Sequence, residues 1–423
     1  MKSQIQKLLG LKQQRGQMLL MFVLFLVVLI LFLGLAIDLG FAYSTRAELS
    51  KAVDAAALAG INNLSQGTIT ASSYAAATFA ANYGRPGRDT GSITPVTTFG
   101  TDAGNNLFIS VDAATRINTF FVRILPTWKT LPVKASAQAT RSKLIMSLVL
   151  DRSGSMKDDD SSGTSGAERM TPAVTNFISH FDDARDRVAL VTYASTTRTD
   201  VPLSLTVGTA FKQPIINATK AIFVNNAGVE GGTFGQGGLT NALQQNNRPT
   251  VVAGENVNRV VVFFTDGKSN IVQDKFPCQT DPWNYGGYDS GDTVGFFDYN
   301  SSGQLPVCTT SGGTPSCCNG TSKFKSAING TLKTFIRDNV TDEAEFRAIQ
   351  VANDMRLANT TVFCIGLGNG VNVDFLKEVA NDPTGPNHNP NRPVGVALIA
   401  PTAADLGNVF EVIAQRILLR LTR

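Results

Sequence analysis

An uninterrupted apolar run, residues 18–37, dominates the start of the chain and contains no charged or strongly polar side chain. A helix rises about 1.5 Å per residue, so a run of this length crosses about 30 Å, the thickness of a bilayer's hydrocarbon core. The run therefore predicts a single transmembrane helix. We expect it to be retained, because it is longer than the apolar core of a cleaved signal peptide and Ala-rich helix follows it.

Helical spacing continues past the apolar run to about Gly60 and predicts a transmembrane helix with an amphipathic stalk over residues 17–60. The Ala-rich face of this stalk either packs on another helix or covers its own small domain. A second helical pattern follows at 70–83, and two predicted strands follow at 106–116 and 131–141, the second with alternating apolar and polar side chains. These elements predict a small α+β segment over residues 61–142.

From Lys143 onward, fully apolar strands alternate with helices. Strands of this kind are buried on both faces, so the pattern predicts an α/β domain over residues 143–423, with a mainly parallel sheet and helices on both faces. A stretch at about 270–340, rich in Gly, Asp, Ser and aromatic residues, interrupts the alternation as an insertion. Ligands of such sheets lie at the carboxyl ends of the strands.

Basic charge is concentrated in residues 1–16, which hold Lys2, Lys7, Lys12 and Arg15 and no acidic residue. The formal net charge of the whole chain is +4, so the remainder is balanced. The positive-inside rule then predicts a cytoplasmic N-terminus and a periplasmic or extracellular location for the bulk of the chain. The balanced remainder argues against nucleic acid as a partner, because phosphate binding needs a concentrated basic surface.

Hydroxyl and carboxylate side chains collect at the predicted ends of the strands. The set comprises Asp151, Ser153, Ser155, Thr233 and Asp266. Hard oxygen donors of this kind predict a site for Mg²⁺, with Mn²⁺ or Ca²⁺ as the other candidates. One coordination position is expected to stay open for an acidic group from a partner protein. The competing interpretation treats the segment 151–156 as a turn and the segment 265–267 as the N-terminal cap of a helix.

Four of the five cysteines fall in the insertion, at Cys278, Cys308, Cys317 and Cys318. Outside the cytoplasm they predict two disulfides, for which three pairings are open. We expect the insertion to shape the choice of partner. The sequence shows no evident Ser/His/Asp arrangement and no phosphate-binding loop, so we predict that the protein is not an enzyme.

The motifs D-x-S-x-S at 151–155, G-G-T at 231–233 and T-D-G at 265–267 resemble the metal-ion-dependent adhesion site of von Willebrand factor A (vWA) domains, in family order. The resemblance implies a Rossmann-like vWA domain over residues 143–423. It implies direct or nearly direct metal binding by the two serines and Thr233, and binding often through water by Asp151 and Asp266. Thr240 is a rival for Thr233, but Thr233 places Leu239 where the helix of the family begins.

The combination of RGQ, the apolar helix, DLG, Y-x-x-R and DAAALAG, over residues 14–61, is similar to the N-terminal segment of TadG-like Flp/Tad pilus-assembly proteins. The resemblance implies an inner-membrane, single-pass protein that acts in pilus assembly or adhesion beside other envelope components. One alternative is a pilin-like subunit processed after Gly16, although Met21 stands where such substrates usually carry Glu. A Mg²⁺-dependent hydrolase is a further alternative and lacks an evident general base.

Overall fold

The computed structural model describes residues 14–84, 93–103, 106–124, 126–249, 256–278, 281–290, 293–298, 308–311, 323–334 and 337–421. They fall into two compact units, one reaching to Arg141 and the other spanning Ser142–Leu421.

The first unit combines two helices with a three-stranded antiparallel sheet of order β1-β2-β3. Its elements are α1 (Gln14–Asn62), α2 (Thr68–Asn82), β1 (Val96–Thr101), β2 (Leu107–Asn118) and β3 (Thr130–Arg141). Both helices and the last two strands lie where the sequence predicts them. The short strand β1 was not predicted, because its six residues, VTTFGT, carry too few apolar positions to show an alternation.

Helix α1 is long enough and apolar enough to cross a membrane, with a mean hydropathy of 3.3 over its most apolar window. Its C-terminal half is part of the first unit's core. The buried positions there are Leu49, Ala52, Val53, Ala56, Ala57 and Ile61. The Ala-rich face therefore covers its own small domain, which is the second of the two interpretations that the sequence left open.

The second unit is built on a six-stranded sheet of order β15-β14-β7-β4-β5-β6. The strands of this unit are β4 (Lys143–Asp151), β5 (Arg187–Tyr193), β6 (Thr197–Val201), β7 (Val257–Thr265), β8 (Ile271–Cys278), β9 (Asp281–Ser290), β10 (Thr293–Asp298), β11 (Cys308–Ser311), β12 (Lys323–Lys325), β13 (Leu332–Thr334), β14 (Thr360–Leu367) and β15 (Ala397–Ala400). The predicted mainly parallel sheet is confirmed, and the exception is the edge strand β6, which pairs antiparallel with β5.

Helices cover both faces of this sheet, as predicted. They are α3 (Gly166–Ser179), α4 (Lys212–Phe223), α5 (Gly235–Asn247), α6 (Arg337–Leu357), α7 (Val373–Ala380) and α8 (Leu406–Leu421). Successive residues of β4 alternate between two cores: Leu148 packs with α3, α4 and α8, whereas Val149 packs with α5, α6 and α7. Each fully buried side chain of this size stabilises the fold by about 1.5–3 kcal/mol, so the burial of β4 on both faces contributes strongly to stability.

The insertion contains an antiparallel sheet of order β11-β10-β9-β8 and the hairpin β12–β13. Cys278 ends β8 and Cys308 begins β11, while Cys317 and Cys318 lie outside the described residues. The two disulfides therefore stay a prediction. Cys364 lies buried in β14, where desolvation raises the pKa of its thiol, so it is a packed apolar side chain.

Candidate metal centre

The loops that follow β4 and β7 meet at one edge of the sheet because the two strands are parallel neighbours. Ser155 Oγ donates a hydrogen bond of 2.9 Å to Asp266 Oδ1, and Ser153 Oγ lies 3.5 Å from the same oxygen. The hydroxyls of Ser153 and Ser155 are 3.1 Å apart. The structure therefore brings together the oxygens of three predicted site residues.

Asp151 is the last residue of β4 and is fully buried. Its Oδ1 accepts the backbone N–H of Ser153 at 2.8 Å, and its Oδ2 accepts the hydroxyl of Thr265 at 2.8 Å. Burial raises the pKa of this carboxyl, and its hydrogen bonds to Ser153 and Thr265 oppose that shift. These bonds hold the carboxylate at the start of the loop that carries Ser153 and Ser155, which we call the serine loop.

Asp266 follows β7 and is the second carboxylate of the site. Burial, followed by the negative charge of Asp151, raises the pKa of Asp266 to about 8, although the hydroxyl of Ser155 lowers it. Two carboxylates that are both desolvated and near each other are costly to ionise. A divalent cation held by these residues would offset that cost, so the electrostatics of the site suit a metal ion.

The loop that carries Thr233 touches the serine loop through backbone hydrogen bonds. Gly154 N donates to Gly231 O at 3.0 Å, and Glu230 N donates to Arg152 O at 2.9 Å. Gly231 has a φ of +72°, and any side chain there would collide with Ser195. The close approach of the two loops thus requires glycine at this position.

Thr233 itself is buried and is held by a reciprocal pair of bonds with Asn270. Its N–H donates to Asn270 Oδ1 at 2.7 Å, while Asn270 N donates to the carbonyl of Thr233 at 3.0 Å. The rival Thr240 lies inside α5, where its hydroxyl donates to Gln236 O at 2.9 Å. A hydroxyl that is bonded within its own helix is a poorer ligand candidate, and this favours Thr233.

Three residues that support the site were not predicted. Arg152 is buried and donates from Nη1 to Gly228 O at 3.1 Å and to Glu230 Oε1 at 3.3 Å; burial lowers the pKa of its guanidinium. Thr265 holds Asp151, and Asn270 holds Thr233. All three stand inside or beside the motifs, but their roles arise from contacts that no local spacing reveals.

The donor set fits a hard divalent cation. Two carboxylates and three hydroxyls offer only oxygen, which suits Mg²⁺, Mn²⁺ or Ca²⁺ better than a soft metal. In the described part of the chain, the candidate site included, no group of three or more His, Cys, Asp or Glu side chains could hold a metal ion, so the site depends on its hydroxyl donors as well as its two carboxylates. The edge formed by the β4 and β7 loops is thus the candidate metal centre.

This fold and this set of loops define a class of protein domain: residues 146–268 match the family described as von Willebrand factor type A domain. Residues 16–81 match the family described as putative Flp pilus-assembly TadE/G-like. Two segments of the chain therefore match, in this order, the two families that the sequence motifs predicted. No curated protein matches the chain.

Several solved structures are similar to the chain. The pilus adhesin SpaC from Lactobacillus rhamnosus GG is 14% identical over 80% of this chain and 36% of its own, with a TM-score of 0.43. The vWF domain of the pilus tip protein Mfa5 from Porphyromonas gingivalis is 17% identical over 67% of this chain and 97% of its own, with a TM-score of 0.39.

Proximal thread matrix protein 1 from the mussel byssus is 15% identical over 67% of this chain and 46% of its own, with a TM-score of 0.36. In that structure the metal-ion-dependent adhesion site (MIDAS) motif is occupied by zinc. The chain spans only about a third of the length of SpaC.

Proposed function

We propose that the second unit binds a divalent cation, Mg²⁺ in the first place, and uses it to hold an acidic group of another protein. The ligands would be Asp151, Ser153, Ser155, Thr233 and Asp266. The observation that carries this proposal is the contact of Ser155 with Asp266 at 2.9 Å beside the buried Asp151. It joins hydroxyl and carboxylate oxygens from two loops in the arrangement that an oxygen-binding cation needs.

A carboxylate from a partner is the natural last ligand. Mg²⁺ keeps some of its coordination positions for water or for other ligands. Where Asp151 and Asp266 bind through water, the direct ligands from this chain are neutral hydroxyls, and an anionic oxygen from outside would complete the inner coordination. The proposed chemistry is therefore reversible binding of an Asp or Glu side chain.

A binding role fits the site better than hydrolysis. His180 bonds Glu411 on α8 at 2.7 Å, and His388 bonds the carbonyl of Asn381 at 3.1 Å. None of these partners belongs to the candidate metal centre. Hydrolysis on a metal needs a general base within hydrogen-bond reach of the attacking water, and neither histidine is placed by these contacts to act as one.

The TadE/G-like segment supports a role in pilus assembly or adhesion at a bacterial envelope. In this proposal, α1 anchors the protein in the inner membrane with the N-terminus in the cytoplasm, and the bulk of the chain is periplasmic or extracellular. Other pilus or envelope assembly proteins would supply the acidic partner. Sequencing of the mature N-terminus tests the alternative, since a chain that starts at Gln17 would identify a processed, pilin-like subunit.

Titration of the detergent-solubilised full chain with Mg²⁺ and Mn²⁺ in a calorimeter tests the metal site. We expect saturable binding that Asp266→Ala abolishes and that Thr240→Ala retains. A synthetic acidic peptide should then bind only in the presence of the metal, whereas its amide counterpart with Asn and Gln should not bind. A folded wild type that binds neither ion would overturn the proposal.

A further inference from the structure

The loop between β2 and β3, residues 119–129, is closed at its base and bears two 3₁₀ turns, Val122–Ile124 and Pro126–Trp128. Thr119 closes it: its N–H donates to Lys129 O at 3.1 Å, and its hydroxyl donates to Trp128 O at 2.6 Å. The described part of this loop is therefore a defined structural feature of the first unit.

Asp38 attaches this loop to α1, one residue after the apolar run ends. Its buried carboxylate accepts three backbone N–H groups, from Phe120 at 2.8 Å and from Phe121 and Val122 at 2.9 Å each. Hydrogen bonds to an ionised acceptor are about twice as strong as neutral ones. The 119–129 loop is thus firmly fixed to the helix at the predicted membrane boundary.

Phe121 reaches further down the helix, to a residue within the apolar run itself. A Cβ placed on Gly34 would lie 2.5 Å from Phe121 Cβ, so the phenyl group packs directly on the helix backbone. Gly34 lies three residues before the end of the run at Ile37, which is about 4.5 Å along the helix axis. If α1 crosses a bilayer, Phe121 is at the depth of the hydrocarbon.

Large apolar side chains of this loop are exposed around that point. The exposed fractions are 56% for Phe120, 40% for Phe121, 76% for Ile124 and 47% for Trp128. Trp and Phe are favoured where an apolar phase meets water, and the exposed cations Arg123 and Lys129 are suited to lipid phosphates.

We propose that the 119–129 loop is a second membrane contact of this protein. The loop enters the leaflet at the C-terminal end of the apolar run, with Phe121 in the hydrocarbon beside Gly34 and with Ile124 and Trp128 at the boundary between headgroups and acyl chains. The occupant of this apolar surface is lipid, because the surface is continuous with the apolar face of α1. The proposal rests on α1 being a transmembrane anchor and goes beyond it, since two points of contact fix the tilt and rotation of the helix.

Tryptophan fluorescence of the full chain in vesicles of phosphatidylcholine and phosphatidylglycerol tests the proposal. The chain has two tryptophans, so Trp283→Phe leaves Trp128 as the single emitter. We expect a blue-shifted Trp128 emission and strong quenching by lipids brominated about 5–10 Å below the headgroups, the depth of interfacial side chains. The matched control is Trp128→Phe, which measures the quenching of Trp283.

Flotation of the same vesicles separates the loop from the anchor. A chain that does not float with the lipid overturns both the anchor and the loop contact. A chain that floats, but whose Trp128 emission is the same with and without bromine, overturns the loop contact alone. The double variant Phe121→Ser with Ile124→Ser, made in the Trp283→Phe chain, should float as before and lose most of the quenching.

Discussion

Ser155 and Asp266 are joined by a hydrogen bond of 2.9 Å between Oγ and Oδ1, although 111 residues separate them in the sequence. The bond follows from strand order: β4 pairs with β5 on one side and with β7 on the other. The chain leaves β4 towards β5 and leaves β7 towards β14, so the two loops part between β4 and β7, which is where α/β sheets open a crevice for a ligand. Ser155 lies on the loop after β4 and Asp266 on the loop after β7.

The first prediction concerns the stability of the metal-free protein. Asp266 has its pKa raised to about 8 in the folded chain by burial and by Asp151, against an ordinary value of 3.8. The folded state holds the proton that the unfolded state loses, so this contribution to stability is complete at low pH and is lost as pH rises from about 4 to about 8. In EDTA, we expect Tm to fall over this range, by about 2–4 °C per kcal/mol lost.

Asp266→Asn is the matched variant for this prediction, because the amide cannot ionise. Its Tm in EDTA should fall less steeply with pH than that of the wild type, and Mg²⁺ should raise the Tm of the wild type alone. Calorimetric scans at a series of pH values measure both effects. Equal slopes for the two proteins would show that Asp266 does not carry the pH dependence.

The second prediction decides between the two candidate threonines. Thr233→Ala should weaken Mg²⁺ binding by at least about 10–100-fold, the loss typical when a residue that only supports a metal ligand is removed. Thr240→Ala should leave the affinity unchanged, because that hydroxyl bonds the carbonyl of Gln236 within α5. Titration calorimetry compares the variants, and a larger loss for Thr240→Ala would reverse the assignment.

The sequence predicted the sheet because buried strands show in local pattern, and the same pattern selected the candidate site residues, whose metal binding stays a prediction. The nine buried residues of β4 end in Asp151, and the polar motif begins there. The roles of Asn270 and Arg152 could not be predicted, since each acts across a loop contact made only in the folded chain. Strand β6 was missed for a similar reason: TRTDV is half-buried and polar, and only pairing with β5 makes it a strand.

The third prediction concerns Asn270, which bonds both the backbone N–H and the backbone carbonyl of Thr233. Asn270→Ala removes the acceptor for the Thr233 N–H and should lower Mg²⁺ affinity by about tenfold through loss of that alignment. Asn270→Asp keeps an acceptor oxygen at the same place and should restore most of the affinity. A purely structural role would lower Tm in both variants without this difference in metal binding.

The fourth prediction concerns the packing of α1 in the first unit. A Cβ on Gly60 would lie 2.5 Å from Ile109 Cδ1 and 3.2 Å from Ala75 Cβ. Gly60→Val should therefore overpack this contact and destabilise the unit by about 1–3 kcal/mol. Gly40→Ala is the control on the same helix, because a Cβ there meets nothing within 4 Å. It should be neutral or slightly stabilising in thermal unfolding, since alanine favours helix.

The fifth prediction concerns Glu345 of α6, a nearly buried carboxylate outside the candidate metal centre. Its Oε2 accepts a hydrogen bond from Asn372 Nδ2 at 2.6 Å, and its buried Oε1 has no hydrogen-bond partner among the residues that the structure describes. Burial raises the pKa of Glu345 to about 7, although Asn372 and Lys268 lower it. Below the ordinary pKa of 4.5 the carboxyl is protonated in both the folded and the unfolded state, so its titration does not lower the free energy of unfolding. As pH rises from 4.5 to about 7, the unfolded state loses the proton first and the fold loses stability.

Glu345→Gln keeps the shape of the side chain and removes its charge. We expect the free energy of unfolding of the variant to exceed that of the wild type by about 1–3 kcal/mol at pH 8 and to equal it near pH 4. Asp354→Asn, at an exposed position of the same helix, should change neither value. Urea unfolding at the two pH values measures the difference. If Glu345→Gln is instead less stable at pH 8, the attraction between Glu345 and Lys268 outweighs the cost of burying the carboxylate.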